Sequence, residues 1–337
     1  MIDFIKMERL KSGIRENPLL QGNWILKSNE DAVFLSEEAT YKKIKFETKK
    51  SKDSEKYYSK LSGSIHYYFN EGLHNYNDFG FTDIVEVLDE IIDSFELSLD
   101  NEINNIEFGV NVKLPFEQSL ILDKLVTHKG KSFSYETNNG KNYYQCKHSQ
   151  FLIKIYDKGL QFGLAENILR FEIKVIKMQY LHNNGIFIKH LKCLKNKAIY
   201  KPLGCLLFKV FNEVLIDCEN IDLNNLNEAE KINYLKSTNP NTWKKRNRKN
   251  AKGQKQLQRL SEQYYKLINN QTKGATKKMQ VAKLIEEKWM QLSEIYHTSK
   301  ECIQDSIVQY LPFKYNVTFG QKPFIHYHKP NFYGMDF

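Results

Sequence analysis

The chain has 337 residues, 41% of them hydrophobic, which suffices for one large or two ordinary domains and excludes disorder over most of its length. A formal charge of +10, with 20 Tyr and 21 Phe, pairs cations for phosphates with flat rings for unstacked bases. Five cysteines without a CxxC pair argue against a disulfide framework or a zinc ribbon. They are expected to be free thiols, so a cytoplasmic location is expected, and no stretch approaches the eighteen or so apolar residues of a membrane span.

In chain order, the segments IDFIKM, NWILK, AVFL and YKKIKFE alternate apolar and polar residues between turn-forming residues, as antiparallel strands do. SGSIHYYFN, residues 62–70, continues the same pattern. FTDIVEVLDEIIDSFELSL then places Ile84, Val87, Leu88, Ile91, Ile92 and Phe95 at helical spacing, and Asp83 with Glu86 resembles a capping pair. INNIEFGVNVKLPF returns to period two and ends at Pro115, and FEQSLILDKLVTH reads as a second helix. KSFSYE and NYYQCKHSQFLIKIY flank TNNGK, an Asn-Gly hairpin signal, and ILRFEIKVI (168–176) is the last clear strand. The sum is an α+β fold: a mostly antiparallel sheet with helices packed on one face, followed by a largely helical C-terminal region. The division is placed between residues 1–195 and 196–337. In the second part WKKRNRKNAKGQKQLQR holds eight Lys or Arg from Lys244 to Arg259 and no acid. Such a run serves either as a solvated helix face or as a phosphate-binding surface, with Lys244, Lys245, Arg246, Arg248 and Lys249 its densest part.

Side chains alternate across a strand, so Phe151, Ile153 and Ile155 face one way, while His148, Leu152, Lys154, Tyr156 and Lys158 face the other. By the same alternation Glu107 and Glu172 stand opposite the apolar sets of their own strands. If those strands are neighbours, the polar face gathers a phenol, an ammonium, two carboxylates and an imidazole. That inventory suits phosphodiester transesterification. A free tyrosine is only about a thousandth ionised at pH 7, so its attack needs a neighbouring cation. A hard divalent ion held by carboxylates and an imidazole would polarise the scissile phosphate. The plainer alternative pairs Glu107 and Glu172 with Lys113, Arg170 or Lys174 on a wet face. FIHYHKP offers a competing metal-site signal, His326 and His328, which at i and i+2 would point the same way on a strand.

Four segments in series resemble a known family: MIDFIKMERL, LSGSIHYYFNEGLHNYNDFGFTDIVEVL, LIKIYDKGLQ and ILRFEIKVIKMQYLHNNGI. Together they are similar to the phage and plasmid replication initiators related to the gene II protein of filamentous phages, which are rolling-circle nicking enzymes. The resemblance covers residues 1 to about 190 and fades beyond 195. It implies that Tyr156 is the nucleophile, leaving a 5′-phosphotyrosine and a free 3′-hydroxyl primer, with Lys158 as its catalytic companion. From strand face and chemistry, beside the resemblance, Glu107, His148 and Glu172 are assigned as the ligands of Mg²⁺ or Mn²⁺, with Asp3 and His74 as substitutes. His66, His74 and Asn75, in a loop made approachable by Gly72, and Lys154 would contact DNA.

The expected function is therefore a metal-dependent, site-specific single-strand endonuclease and strand transferase that starts rolling-circle replication. Its partners would be origin DNA, single-stranded or supercoiled, and a host helicase and polymerase, with no membrane. A non-catalytic origin-binding regulator and a mobilisation relaxase are the alternatives.

Overall fold

The computed structural model describes residues 1–10, 13–28, 34–50, 57–138, 140–216 and 273–295. Its frame is a ten-stranded antiparallel sheet. The strands are β1 (Ile2–Leu10), β2 (Ile25–Ser28), β3 (Phe34–Tyr41), β4 (Ile44–Lys50), β5 (Tyr57–Ser64), β6 (Ile103–Lys113), β9 (Ser134–Asn138), β10 (Lys141–Lys147), β11 (Phe151–Asp157) and β12 (Ile168–Val175). They run in the spatial order β2-β3-β4-β5-β1-β6-β12-β11-β10-β9. A second sheet of three strands joins β7 (Leu125–His128), β8 (Lys131–Ser132) and β13 (Val214–Ile216), with β7 in the middle. The helices are α1 (Ile65–Phe69), α2 (Phe81–Phe95), α3 (Ser119–Leu122), α4 (Lys158–Phe162), α5 (Gln179–His182), α6 (Tyr200–Glu213) and α7 (Lys273–Ser293).

The central strands β6, β12 and β11 sort their residues by parity. Ile106, Phe108, Val110 and Val112 of β6 are all buried, as are Leu169, Phe171, Ile173 and Val175 of β12. This apolar face receives the helices. Phe171 meets Phe211 of α6 edge-on at 5.0 Å between ring centroids, and Phe108 meets Trp289 of α7 at 6.2 Å. Farther out, Phe46 of β4 lies 4.5 Å from Phe95 of α2. The expected α+β architecture with helices on one face is the architecture observed. α6 and α7, which follow residue 195, pack into the same core as the sheet.

α2 begins at Phe81, where the Asp83 carboxylate accepts a hydrogen bond from the Gly80 amide at 2.6 Å. Asp83 is thus the N-terminal cap partner itself, bonding backward to Gly80. Ile84, Val87, Leu88, Ile91 and Phe95 are its buried stripe. The Asn-Gly hairpin also forms, with Lys141 paired to Asn138 and Gly140 at a φ of +73°.

Four expectations are corrected. Residues 62–70 do not continue as a strand: the Ser64 hydroxyl accepts from the Tyr67 amide at 3.0 Å and starts α1. FEQSLILDKLVTH makes only the single turn of α3, because Leu125–His128 are drawn off to pair with β13. That pairing also makes β13, not β12, the last described strand. Finally, Cys146 and Cys193 stand outside any disulfide, as expected, whereas Cys205 is disulfide-bonded.

Candidate nucleic-acid processing site

The antiparallel register sets Lys154 opposite Glu172 and Tyr156 opposite Arg170, and on the next strand Lys174 opposite Glu107. Residues directly opposed on antiparallel strands share a face, so the polar side of β6-β12-β11 carries all six. Gly109 makes room for them. A Cβ there would lie 2.1 Å from the Phe171 carbonyl oxygen and 2.6 Å from the Glu172 Cα, so only glycine fits opposite Glu172.

Arg170 is the centre of the cluster and is 1% exposed. Its Nε donates to Glu172 at 2.9 Å, Nη1 to Asn111 at 3.3 Å and Nη2 to Asp3 at 3.2 Å. Asp3 arrives through a bulge in β1, where the register slips between Ile2 and Phe4 and an extra residue is turned onto this face. Asn75 donates at 3.1 Å to the same Asp3 oxygen as Arg170, and the other Asp3 oxygen accepts from the Ser64 hydroxyl. Lys154 reaches Glu107 at 2.8 Å and Glu172 at 3.2 Å, and Lys174 binds the other oxygen of Glu107 at 2.6 Å.

Tyr156 is half-buried, and its hydroxyl takes part in no hydrogen bond with a described residue. Lys158 is buried at the first turn of α4. Its ammonium donates to Asn75 at 2.6 Å and stands 5.3 Å from the centre of the Tyr156 ring. The strand ends at Asp157, whose carboxylate accepts from the Leu160 amide at 2.7 Å and caps α4. Lys158 is therefore brought beside the phenol by a helix start, and not by strand alternation.

Burial is the largest influence on the Tyr156 phenol and pushes it well above its usual range; the Glu172 carboxylate adds to this and Arg170 opposes it. Burial alone would raise Asp3 as well, but Arg170, His66, Lys158 and the Ser64 hydroxyl hold it well below the usual carboxylate range. Glu172 likewise ends lowered, because Lys154 and Arg170 outweigh its burial. The acids thus stay ionised and paired. Three carboxylates face four cationic side chains, which leaves this face with a slight positive excess.

The expected metal ligands do not converge. Glu107 and Glu172 rise from the polar face with lysine and arginine partners, while His148 lies on the apolar side. The physical reason is the tight turn between β10 and β11: alternation cannot be carried from Phe151 back through it. Cys146 pairs with the buried Ile153, and His148 stacks on Phe151 at 4.5 Å between centroids. Glu107, His148 and Glu172 therefore do not form a fitting set for Mg²⁺ or Mn²⁺. Among the described residues, the group of three His, Cys, Asp or Glu side chains that does converge is His128, Cys146 and His148.

Two of the residues expected to contact DNA turn inward. His66 is 2% exposed, bonds Asn77 at 2.7 Å and stacks on Phe79, and burial lowers its imidazole to about 3. Asn75 is buried between Asp3 and Lys158. His74 is half-buried and stacks on Tyr76 at 4.1 Å. Lys154 is committed to Glu107 and Glu172. The basic residues Lys244, Lys245, Arg246, Arg248 and Lys249, and the pair His326 and His328, lie outside the described residues. Sequence reasoning overlooked Arg170 as the hub, although its place two residues before Glu172 on one strand was a signal. Asn111, which donates to the Asn75 and Tyr76 carbonyls at 3.1 Å each and so ties down the loop over the cluster, carried no such signal.

No described helix is long and apolar enough to cross a membrane. No family model matches the chain, and no curated protein matches it. Among solved structures the chain is similar to a rolling circle replication initiator protein from Geobacillus stearothermophilus. The identity is 12% and the TM-score 0.36, over 67% of this chain and 89% of that one. At that level the likeness carries no correspondence between residues.

Proposed function

We propose that the chain is a DNA strand-nicking and strand-joining enzyme that starts rolling-circle replication, with Tyr156 as its nucleophile. The observation that carries this reading is the Tyr156 phenol itself: half-buried on the polar face, without a described hydrogen-bond partner, and flanked by Lys158 and Arg170. A structural tyrosine at such a place would be expected to anchor its hydroxyl. In the reaction the phenolic oxygen forms a bond to phosphorus and the bond from phosphorus to the sugar 3′-oxygen breaks. The phenol gives up its proton as it attacks, and the leaving 3′-oxygen takes one up, so a 5′-phosphotyrosine and a 3′-hydroxyl result.

The raised phenol pKa means that little phenolate exists in the resting protein, so deprotonation and attack are coupled. The cations do two things in this account: Lys158 and Arg170 stabilise charge developing on the phenolic and phosphoryl oxygens, and the positive excess draws in the strand. No step is assigned to a metal ion, because the expected ligands are apart. The basic run from Lys244 is proposed to bind duplex phosphates, with a host helicase and polymerase acting on the opened strand.

A regulator that binds without cutting is favoured by one observation, the pairing of all three carboxylates with cations, which leaves no obvious general base. The two readings separate in one assay. Supercoiled plasmid carrying the DNA that flanks this gene is incubated with the protein, with and without Mg²⁺ or Mn²⁺. Nicked circles bearing covalently attached protein, absent with Tyr156→Phe, are expected. Retarded but uncut plasmid under every condition would establish the regulator instead.

A further inference from the structure

On the far side of the sheet from Tyr156, three metal-binding side chains meet where the small sheet abuts β10. His128 ends β7, Cys146 is in β10, and His148 begins the turn into β11. The His128 Nδ1 lies 2.9 Å from the His148 Nε2, and the Cys146 Sγ lies 3.6 Å from that same Nε2. All three donor atoms fall within 4.8 Å of one another. A tetrahedral ion with bonds of about 2.0–2.1 Å to nitrogen and about 2.3 Å to sulfur holds its donors roughly 3.3–3.6 Å apart. The His128–His148 and Cys146–His148 pairs need shifts of only a few tenths of an ångström to match, and the His128–Cys146 pair, within 4.8 Å, needs to close by about 1.2 Å at most.

The surroundings support the same conclusion. The other nitrogen of His128, Nε2, faces the Glu213 carboxylate at 3.2 Å, at the end of α6. A carboxylate accepting from Nε2 fixes the tautomer that leaves the Nδ1 lone pair aimed at the cluster, which is the arrangement that orients metal-binding histidines. Glu213 is itself held by Lys129 at 2.8 Å. His128 and Cys146 are fully buried, and His148, half-buried, is the side from which an ion and a water ligand could enter.

We infer that His128, Cys146 and His148 form a binding site for a borderline transition-metal ion of the zinc(II) class, completed by water. Two imidazoles and a thiolate select such an ion over Mg²⁺ or Ca²⁺, which prefer all-oxygen shells. The ion crosslinks β7 to the β10–β11 hairpin, whose second strand carries Tyr156, and takes no part in the tyrosine chemistry. The inference stands whether or not the nicking reading holds.

The test uses the full chain, reduced, stripped with a chelator and reloaded with Zn²⁺ or Co²⁺. The variant His326→Asn/His328→Asn serves as background, so that the histidine pair near the end of the chain cannot supply the signal. About one equivalent of Zn²⁺ should survive dialysis, and Co²⁺ should give a thiolate charge-transfer band. Cys146→Ser should abolish that band, His148→Gln should abolish retention, and Glu213→Ala should weaken Zn²⁺ binding about 10- to 100-fold. Circular dichroism identifies any variant that fails to fold, and His148→Gln, at the less buried position, then decides in place of Cys146→Ser. Retention unchanged in folded His148→Gln, or no Zn²⁺ retained by the background protein, would overturn the site.

Discussion

The two faces of one strand pair, β10–β11 with its neighbours, hold opposite chemistries. On the polar face Arg170, Lys154 and Lys174 already saturate Asp3, Glu107 and Glu172, and the phenol of Tyr156 is the group left without a described hydrogen bond. On the apolar face His128, Cys146 and His148 lie together with a carboxylate orienting one of them from behind. In the proposed reading the first arrangement, with one cation in excess, attracts anions such as phosphate; the second suits a soft or borderline cation. Possession of carboxylates therefore does not make a metal site, since their charge can already be spent on neighbouring cations.

The sharpest way to break the comparison is at Tyr156. Tyr156→Phe should abolish covalent attachment to DNA while changing stability by less than about 1 kcal/mol, because the lost hydroxyl makes no described hydrogen bond. Chemical denaturation beside the nicking assay reads both; a large loss of stability would mark the hydroxyl as structural.

Arg170→Met should be next in size. It leaves Asp3 buried without its cationic partner and Glu172 with Lys154 alone, at a cost of roughly 3–5 kcal/mol in urea denaturation. Less than about 1 kcal/mol would mean that the cluster is solvated rather than sealed. On the apolar face, Trp289→Ala should cost about 3–5 kcal/mol, since its ring is fully buried and its Nε1 donates to the Tyr200 carbonyl at 2.9 Å. An unchanged midpoint would detach α7 from the core.

A smaller effect separates the buried imidazole at the cluster's edge from its acids. His66 is held neutral in the folded chain down to about 3, while an unfolded histidine takes up a proton near 6.5. Acidification from about pH 6.5 toward 4 thus favours unfolding, by up to about 1.4 kcal/mol per pH unit. The lowered Asp3 and Glu172 act later: their contribution is intact above about pH 4 and is lost as pH falls further. His66→Gln should flatten the upper part of the stability profile and leave the acid limb; equal slopes in both proteins would contradict the assignment.

How far the sequence revealed this can be judged residue by residue. Period-two alternation within β6, β11 and β12 placed Glu107, Lys154, Tyr156 and Glu172 on one face, because strand geometry leaves no other choice. It failed wherever the chain leaves regular extension. Asp3 reaches the cluster through a bulge, Lys158 through a helix start, and His148 departs from it at a turn; none of these changes the hydrophobic pattern enough to be read. Leu125–His128 looked helical because their pairing partner, Val214–Ile216, lies some ninety residues away, beyond any local signal.

The most direct measurement is the identity of the residue joined to DNA. Protein trapped on cleaved origin strand is digested with nuclease and trypsin, and the nucleotide-bearing peptide is sequenced by mass spectrometry. The account predicts a phosphodiester on Tyr156, in the peptide ending at Lys158. An adduct on Tyr143, Tyr144 or Tyr180, with Tyr156 unmodified, would contradict it.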